Sequence, residues 1–455
     1  MSKPKEYSWM TKDKLMTYTF VALLILAIIS IILWWQITPF NTLTNQDFPM
    51  NLGLAIALNC IIAVLIAVGI DALFYKVASD SPLNTMSAAV FGLIVALSYT
   101  MGVPGVATVE ASLLPLAAPG SFMYVALISL IGMVVFKKVQ GVAGRKYVNP
   151  AATAKLLVLL PFLYILLIPT DHTLIPSLLK SIDYNGTGSF GAFIQFCFGN
   201  PGPLRTGTVP PFGASDVFQT MFLEKFHGWP GGASALAVII VGVGLFVVAR
   251  RYIKWRITAA YIGATIVMSL IMTGVYGGDA ALRLMFELFI GSSIFLAFFM
   301  ATDPATTPLT YAGQAVFGVG LAVLTVLFQT YANFFGGSIA ALFIMNLTSP
   351  ALDRVGRLKP TTESKEPKLP KAKAFPPGQV KGYECIRCGA CMRVCCHKLS
   401  PILIKQAFDK TDVMTLSKLN ADYCTGCGHC SFVCPSRIDL KGAVLRSKAM
   451  LRQEQ

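Results

Sequence analysis

Cys385-Ile386-Arg387-Cys388-Gly389-Ala390-Cys391-Met392-Arg393-Val394-Cys395 is followed by a second run, Cys424-Thr425-Gly426-Cys427-Gly428-His429-Cys430-Ser431-Phe432-Val433-Cys434-Pro435. In each run three cysteines separated by two residues can wrap three corners of an iron–sulfur cubane. The fourth, three residues further on, reaches the neighbouring cluster. In the crossed ligation this implies, Cys385, Cys388 and Cys391 share one [4Fe-4S] cluster with Cys434, and Cys424, Cys427 and Cys430 share another with Cys395. Cys-x-x-Cys pairs also build tetrahedral zinc sites, but the third and fourth cysteines of each run fit the cluster spacing. The first run departs from the pattern at Cys396, which stands where the second has Pro435. Cys396 competes for the fourth position or tunes the cluster as a neighbouring thiol, and spacing favours Cys395. Between the runs, Leu403, Ile404, Phe408 and Leu416 belong to helical turns that cover the clusters.

Outward from the cysteines the chain changes character. It has 455 residues, 55% hydrophobic and 13% charged, with a mean hydropathy of +0.64. That is too apolar for a soluble protein of this length. Counting stretches of about 20 mostly apolar residues gives about ten spans, near 18–37, 51–74, 85–102, 121–137, 151–169, 232–250, 256–274, 283–301, 310–328 and 332–347. An even number returns both ends to one side. Lys3, Lys5, Lys12 and Lys14, then Lys137, Lys138, Arg145 and Lys146, then Arg250, Arg251, Lys254 and Arg256 fall on that side, which makes it cytoplasmic by the positive-inside rule. The outer loops 38–50 and 103–120 carry no Lys or Arg. Nine of the 11 cysteines lie in the C-terminal segment. Clustered thiols in a reducing compartment are metal ligands far more often than disulfides. The net charge of +15 sits at membrane flanks and in the tail, not on a basic face with interleaved aromatics, which argues against nucleic acid. The first apolar run has no small-residue cleavage site after it and reads as a retained anchor.

The expected organisation is an α-helical polytopic membrane domain over 1–350, a Lys- and Pro-rich linker over 351–380, and a cytoplasmic two-cluster [4Fe-4S] ferredoxin-like α domain over 381–455. An outer connection at 170–231, rich in Gly, Pro, Asn and Thr, is long enough to carry function. Ionisable residues inside the spans are expensive and point to function by default. Asp71 near an inner helix end can snorkel or cap, Lys155 can reach the inner headgroups, and Arg283 and Glu287 stand four apart and can pair. Cys60 and Cys197 have no partner at ligand spacing and read as small apolar residues. Asp303, in Phe299-Met300-Ala301-Thr302-Asp303-Pro304-Ala305-Thr306-Thr307-Pro308, ends a span in a turn of hydroxyls and prolines, and reads as a ligand site together with Thr302.

The segment Phe299 to Pro308, with Gly228-Trp229-Pro230-Gly231-Gly232-Ala233-Ser234-Ala235-Leu236-Ala237 and Asn149-Pro150-Ala151-Ala152, resembles the family that comprises the D-type component of the Rnf complex and the B-type component of the sodium-translocating NADH:quinone reductase. The tail from Cys385 resembles the two-cluster part of the C-type component of the Rnf complex, so the chain looks like a fusion. The resemblance implies a prokaryotic inner-membrane location, partner subunits of an Rnf-like complex, and a cytoplasmic electron carrier, either a ferredoxin or an NADH-linked subunit. It implies redox transfer coupled to Na+ or H+ movement, with a non-pumping conduit to quinone or an exported flavoprotein as the alternative. It also implies flavin mononucleotide (FMN) esterified to the last Thr of a Ser-Gly-Ala-Thr motif in the outer loop, and a second flavin, such as riboflavin, within the helices. The best match to that motif is Phe212-Gly213-Ala214-Ser215, in which Ser215 supplies the hydroxyl. Phe212 replaces the motif's first Ser, and Val209 stands where an acidic residue is usual. Asn149, Thr302 and Asp303 are the expected flavin contacts inside the bundle. No Gly-x-Gly-x-x-Gly between a strand and a helix is present, so NADH oxidation by this chain alone is not expected.

Overall fold

The computed structural model describes residues 6–35, 40–41, 46–47, 50–77, 83–99, 121–140, 146–161, 218, 222–223, 229–289, 293–331, 337–362, 367–374 and 382–453. Ser215, Cys197 and most of the outer loop lie outside the described residues. The N-terminal half begins with a short strand β1 (Glu6–Ser8) and α1 (Lys12–Trp35). The pair β2 (Phe40–Asn41) and β3 (Gln46–Asp47) leads into α2 (Leu52–Val77), α3 (Thr85–Leu97), α4 (Ser121–Ile131, continued as a π-helix over Gly132–Val139) and α5 (Pro150–Leu159). A 3₁₀ turn (Pro230–Gly232) opens the second half. It is followed by α6 (Ala235–Ala249), α7 (Trp255–Tyr276), α8 (Ala280–Phe289), α9 (Ser293–Phe295, continued as a π-helix over Leu296–Met300), α10 (Tyr311–Tyr331) and α11 (Gly337–Leu352).

Each of the ten expected apolar stretches contains a helix among the described residues. Five helices are long and apolar enough to cross a membrane, and the pair α8 with α9, bent by 60°, makes a sixth. The four others have 10–17 residues, and at 1.5 Å per residue fall short of a hydrocarbon core about 30 Å thick. One reason is visible at the start of α6. Trp229 and the Pro230–Gly232 turn are buried inside the bundle, with Ser30 Oγ of α1 donating to Pro230 O at 2.7 Å. Ser234 then caps α6 by accepting from Ala237 N. Irregular backbone at this depth is tolerable because protein, not lipid, surrounds it.

The C-terminal module contains β4 (Ala372–Ala374), α12 (Ala390–Arg393), α13 (Pro401–Asp409), α14 (Val413–Lys418), a 3₁₀ turn (Ala421–Tyr423), α15 (His429–Phe432) and α16 (Leu440–Gln453). Ile404 and Leu416 are buried in its core with Leu419, Val444 and Leu451, and Leu403 and Phe408 pack beside them, as the apolar pattern predicts.

Composition predicts a tether over 351–380, and the structure differs. Residues 372–374 pair antiparallel with residues 6–8, Ala372 opposite Ser8. Arg251 Nη2 donates to Lys368 O at 3.0 Å, and Thr361 N donates to His397 O at 3.3 Å. The module is docked rather than hanging. Lys12 N donates to Pro435 O at 3.0 Å, Arg437 Nη2 donates to Ser8 O at 3.4 Å, and the Arg437 guanidinium lies 4.3 Å from the Tyr7 ring. Polar, proline-broken composition excludes a self-sufficient fold for such a segment, but backbone groups are still free to pair with another part of the chain.

The basic residues read as membrane flanks are used differently too. α1 begins at Lys12 and not near 18; Lys12 is buried, and its Nζ donates to Asn84 Oδ1 at 2.8 Å. Asp71 does not snorkel. It pairs with Lys138 at 2.5 Å and accepts from Asn84 N at 2.8 Å. Nor does Lys155 reach headgroups. It is 2% exposed, donates to Ser98 O at 2.8 Å and lies 4.5 Å from the Trp229 ring. In each case a partner distant in sequence offsets the cost of desolvating the charge.

Candidate functional site

The two cysteine runs fold alike. Positive-φ residues stand two and four positions after the first cysteine of each: Arg387 (51°) and Gly389 (74°), then Gly426 (78°) and Gly428 (84°). These left-handed positions curl the backbone inward, and a short helix, α12 or α15, follows in both runs. Amide N–H groups then point at sulfur. Arg387 N donates to Cys385 Sγ and Leu399 N to Cys395 Sγ, both at 3.3 Å, and Gly426 N to Cys424 Sγ at 3.4 Å.

Cys385, Cys388, Cys391 and Cys434 line one cavity with Ile386, Ile402, Ile438 and Leu440. Cys395, Cys424, Cys427 and Cys430 line a second, with His397, Leu399 and Val444. Four thiols around an apolar cavity, with amides directed at sulfur, suit an iron–sulfur cubane. Burial pushes the Cys385 thiol up to about 11 and those of Cys430 and Cys434 up to about 12. A bound metal would favour the thiolate form of such thiols.

Cys396 lies outside the second cavity. Its Sγ is 3.4 Å from Cys427 Sγ and 3.5 Å from His429 Nδ1, and the three side chains make one compact group. His397 bridges the segment around Thr361 to the second run, with Nδ1 2.8 Å from Thr361 O and Nε2 3.0 Å from Thr425 Oγ1.

The first run faces the helix bundle. A cavity of about 460 Å³ opens between the two, lined by Cys385, Ile386 and Arg387 from the module and by Phe91, Asn149, Phe298, Phe299, Thr302 and Asp303 from the bundle. Its size and its mix of aromatic walls and few polar groups suit a small-molecule or cofactor site. Lys12, Lys137, Lys146, Arg387 and Lys405 line it with Asp303, Glu384 and Asp409.

The sequence-predicted residues meet at this cavity, but not all are available to a ligand. Asn149 Oδ1 accepts from Ala151 N and Ala152 N at 3.1 and 3.2 Å, and its Nδ2 donates to Met300 O at 3.3 Å. Its amide caps α5 and ties that helix to the π-helix of the second half. Thr302 Oγ1 donates to Phe298 O at 2.6 Å. Asp303 Oδ1 accepts from Ala305 N at 3.2 Å, and Oδ2 lies 3.4 Å from Thr306 Oγ1. Of the three, Asp303 keeps the most accepting capacity. Both segments line the cavity and share the sequence Asx-Pro-Ala, in Asn149-Pro150-Ala151 and Asp303-Pro304-Ala305. That repeat was legible in the sequence and marks the two sides of the cavity.

Two groups escaped sequence reasoning. Lys254 is buried, and its Nζ donates to Pro304 O and Thr307 O at 2.8 Å and to Thr307 Oγ1 at 2.9 Å. Burial, and Arg387 nearby, push its pKa down to about 7, with Asp353 and Asp303 pulling the other way. Three acceptors are the number that a full ammonium satisfies, so the lysine pins the Asp303 turn. Arg387 pairs with Asp353 at 2.5 Å with both side chains nearly inaccessible, and Asp353 Oδ1 accepts from Leu309 N at 2.8 Å. This pair fastens the first cysteine run to the end of α11.

Residues 2–361 match the model of the NQR2, RnfD, RnfE family, and residues 384–438 match a 4Fe-4S dicluster domain. Among similar proteins, the D-type component of a proton-translocating ferredoxin:NAD(+) oxidoreductase complex from Clostridium ljungdahlii is 30% identical over 145 residues, 31% of this chain and 42% of that protein. The D-type component of an ion-translocating oxidoreductase complex from Halorhodospira halophila is 28% identical over 242 residues, 49% of this chain and 65% of that protein. The D-type component of a Na(+)-translocating ferredoxin:NAD(+) oxidoreductase complex from Acetobacterium woodii is 26% identical over 294 residues, 64% of this chain and 78% of that protein.

Proposed function

This chain belongs to the NQR2, RnfD, RnfE family, and from that premise we propose that it is the membrane subunit of an Rnf-type ion-translocating oxidoreductase complex, with its electron entry built in. The observation that carries the reading is that Cys385 lines the same cavity as Asn149, Thr302 and Asp303. The eight cysteines hold two [4Fe-4S] clusters in the crossed arrangement, and the cavity takes a flavin. When bound, these groups supply one-electron transfer.

The chain's own residues do the rest. The Arg387–Asp353 pair and the contacts of Arg437 and Lys12 hold the near cysteine set against the bundle. Phe298 and Phe299 wall the cavity, and Asp303, which keeps accepting capacity, would hold a flavin there by accepting a hydrogen bond. Lys254 keeps the Asp303 turn in place. The far set, with Cys427 exposed, faces outward to a cytoplasmic donor. Ser215 would hold a second flavin, FMN, through a phosphoester, and partner subunits would complete the path and the coupling to Na+ or H+. The fused module supports a second reading, a non-pumping conduit to quinone or an exported flavoprotein, because electron input then needs no separate polypeptide.

Two flavin assays on the protein from its native host test the proposal. In-gel fluorescence of the denatured chain should be lost in Ser215→Ala. Acid-extractable flavin should fall about tenfold or more in Asp303→Asn, the equivalent of losing a hydrogen bond to a charged group. Wild-type protein with neither flavin removes the reading.

A further inference from the structure

In α7 most of the buried side chains carry a hydroxyl. Thr258, Tyr261, Thr265 and Ser269 recur at three- and four-residue spacing and are each no more than 3% exposed, whereas Val267, Leu270, Ile271 and Val275 are more than half exposed. At 1.5 Å per residue the hydroxyls form a file roughly 17 Å long through the membrane domain. One turn before Thr258 is Lys254, fixed to the Asp303 turn of the cavity. Thr258 Oγ1 itself donates to Ala297 O at 2.6 Å, in the π-helix that leads to that turn. At the other end Ser269 Oγ donates to Glu287 Oε2 at 2.6 Å. Beyond it, the Tyr276 and Tyr331 hydroxyls meet at 2.7 Å on an exposed edge.

Glu287 is 2% exposed, and its Oε1 has no hydrogen-bond partner among the described residues. Arg283, one turn back on α8, brings Nη1 to 3.7 Å from that oxygen, too far for a hydrogen bond. The packed elements α7 and α9 carry no charge on this side, since α7's single charged residue, Arg256, is at its opposite end. A carboxylate this buried is costly, and Oε1 is held by the ion pair with Arg283 alone, with no hydrogen bond from a described residue. A metal cation is ill suited to the spot, because the guanidinium repels it and only one hydroxyl supplements the carboxylate. A proton needs a single oxygen. We infer that Glu287 is a proton-accepting site inside the membrane domain, loaded and unloaded along the hydroxyl-bearing face of α7. The loading step is plain: one proton bonds to a carboxylate oxygen, the carboxylate becomes a neutral acid, and Ser269 and Arg283 remain as neighbours.

The site does not depend on the bound cofactors, so it can be tested at a fixed redox state. Infrared difference spectra of the full-length protein in lipid nanodiscs, stepped in pH in H2O and D2O, should contain a protonated-carboxyl band that is deuterium-sensitive. The band should be absent in Glu287→Gln and displaced in Ser269→Ala, which removes its hydrogen bond. Should Glu287→Gln not fold, Ser269→Ala still decides. Spectra unchanged by either substitution would mean that Glu287 stays ionised as a static partner of Arg283, and would overturn the inference. A band that responds to Na+ and not to deuterium would overturn it in favour of a metal-cation site.

Discussion

The two cysteine sets have the same local geometry and opposite surroundings. Cys388, Cys391 and Cys434 are buried, and their set looks into the cavity beside Asp303. The other set has an exposed member, Cys427, and a spare thiol, Cys396, within 3.4 Å of it. Spacing alone makes the sets equivalent. What separates them is which part of the chain each is docked against, and on the proposed function the inner set would relay and the outer set receive.

The comparison breaks most severely by deleting a ligand. Cys434→Ser should remove the inner cluster, about half of the iron, and destabilise docking, whereas Cys424→Ser should remove the outer cluster and leave the cavity intact. Iron content with electron paramagnetic resonance separates the two. Next in size is Arg387→Ala. It leaves Asp353 buried without its guanidinium partner and should cost about 3–5 kcal/mol, seen as earlier thermal release of the module. The control is the Lys405–Asp409 pair, whose side chains are 29% and 50% exposed; Lys405→Ala should change stability by less than about 1 kcal/mol. The smallest effect is expected from Cys396→Ser, which should preserve cluster content and alter only the outer cluster's spectrum and potential. Loss of the outer cluster in that variant would instead make Cys396 the ligand in place of Cys395.

Much of this was readable in the residues. Apolar stretches of span length need no tertiary information, and each holds a helix. The cysteine runs fold as two matched loops because the left-handed positions at Gly389, Gly426 and Gly428 are local properties. What could not be read depends on contacts distant in sequence. Nothing near Asp71 announces Lys138, and nothing in the proline-rich segment announces a strand paired with Glu6–Ser8. The burial of Lys12 and Lys254 also inverts their usual reading, since a lysine at a helix end normally marks the lipid interface; here the docked module covers that face. Asn149 was legible as part of the site but not as its scaffold, because only the structure reveals that both ends of its amide are engaged.

The central claim is that the inner cysteine set and the Asp303 cavity form one electron junction. Stopped-flow visible spectroscopy of the full-length protein mixed with dithionite tests it most directly, following iron–sulfur and flavin bleaching separately. In a Ser215→Ala background, where only the cavity flavin remains, two phases are expected, iron–sulfur first and flavin second, with the flavin phase lost when Asp303→Asn is added and the iron–sulfur phase kept. Flavin bleaching that is as fast in Asp303→Asn, or in a Cys385→Ser variant lacking the inner cluster, would contradict it.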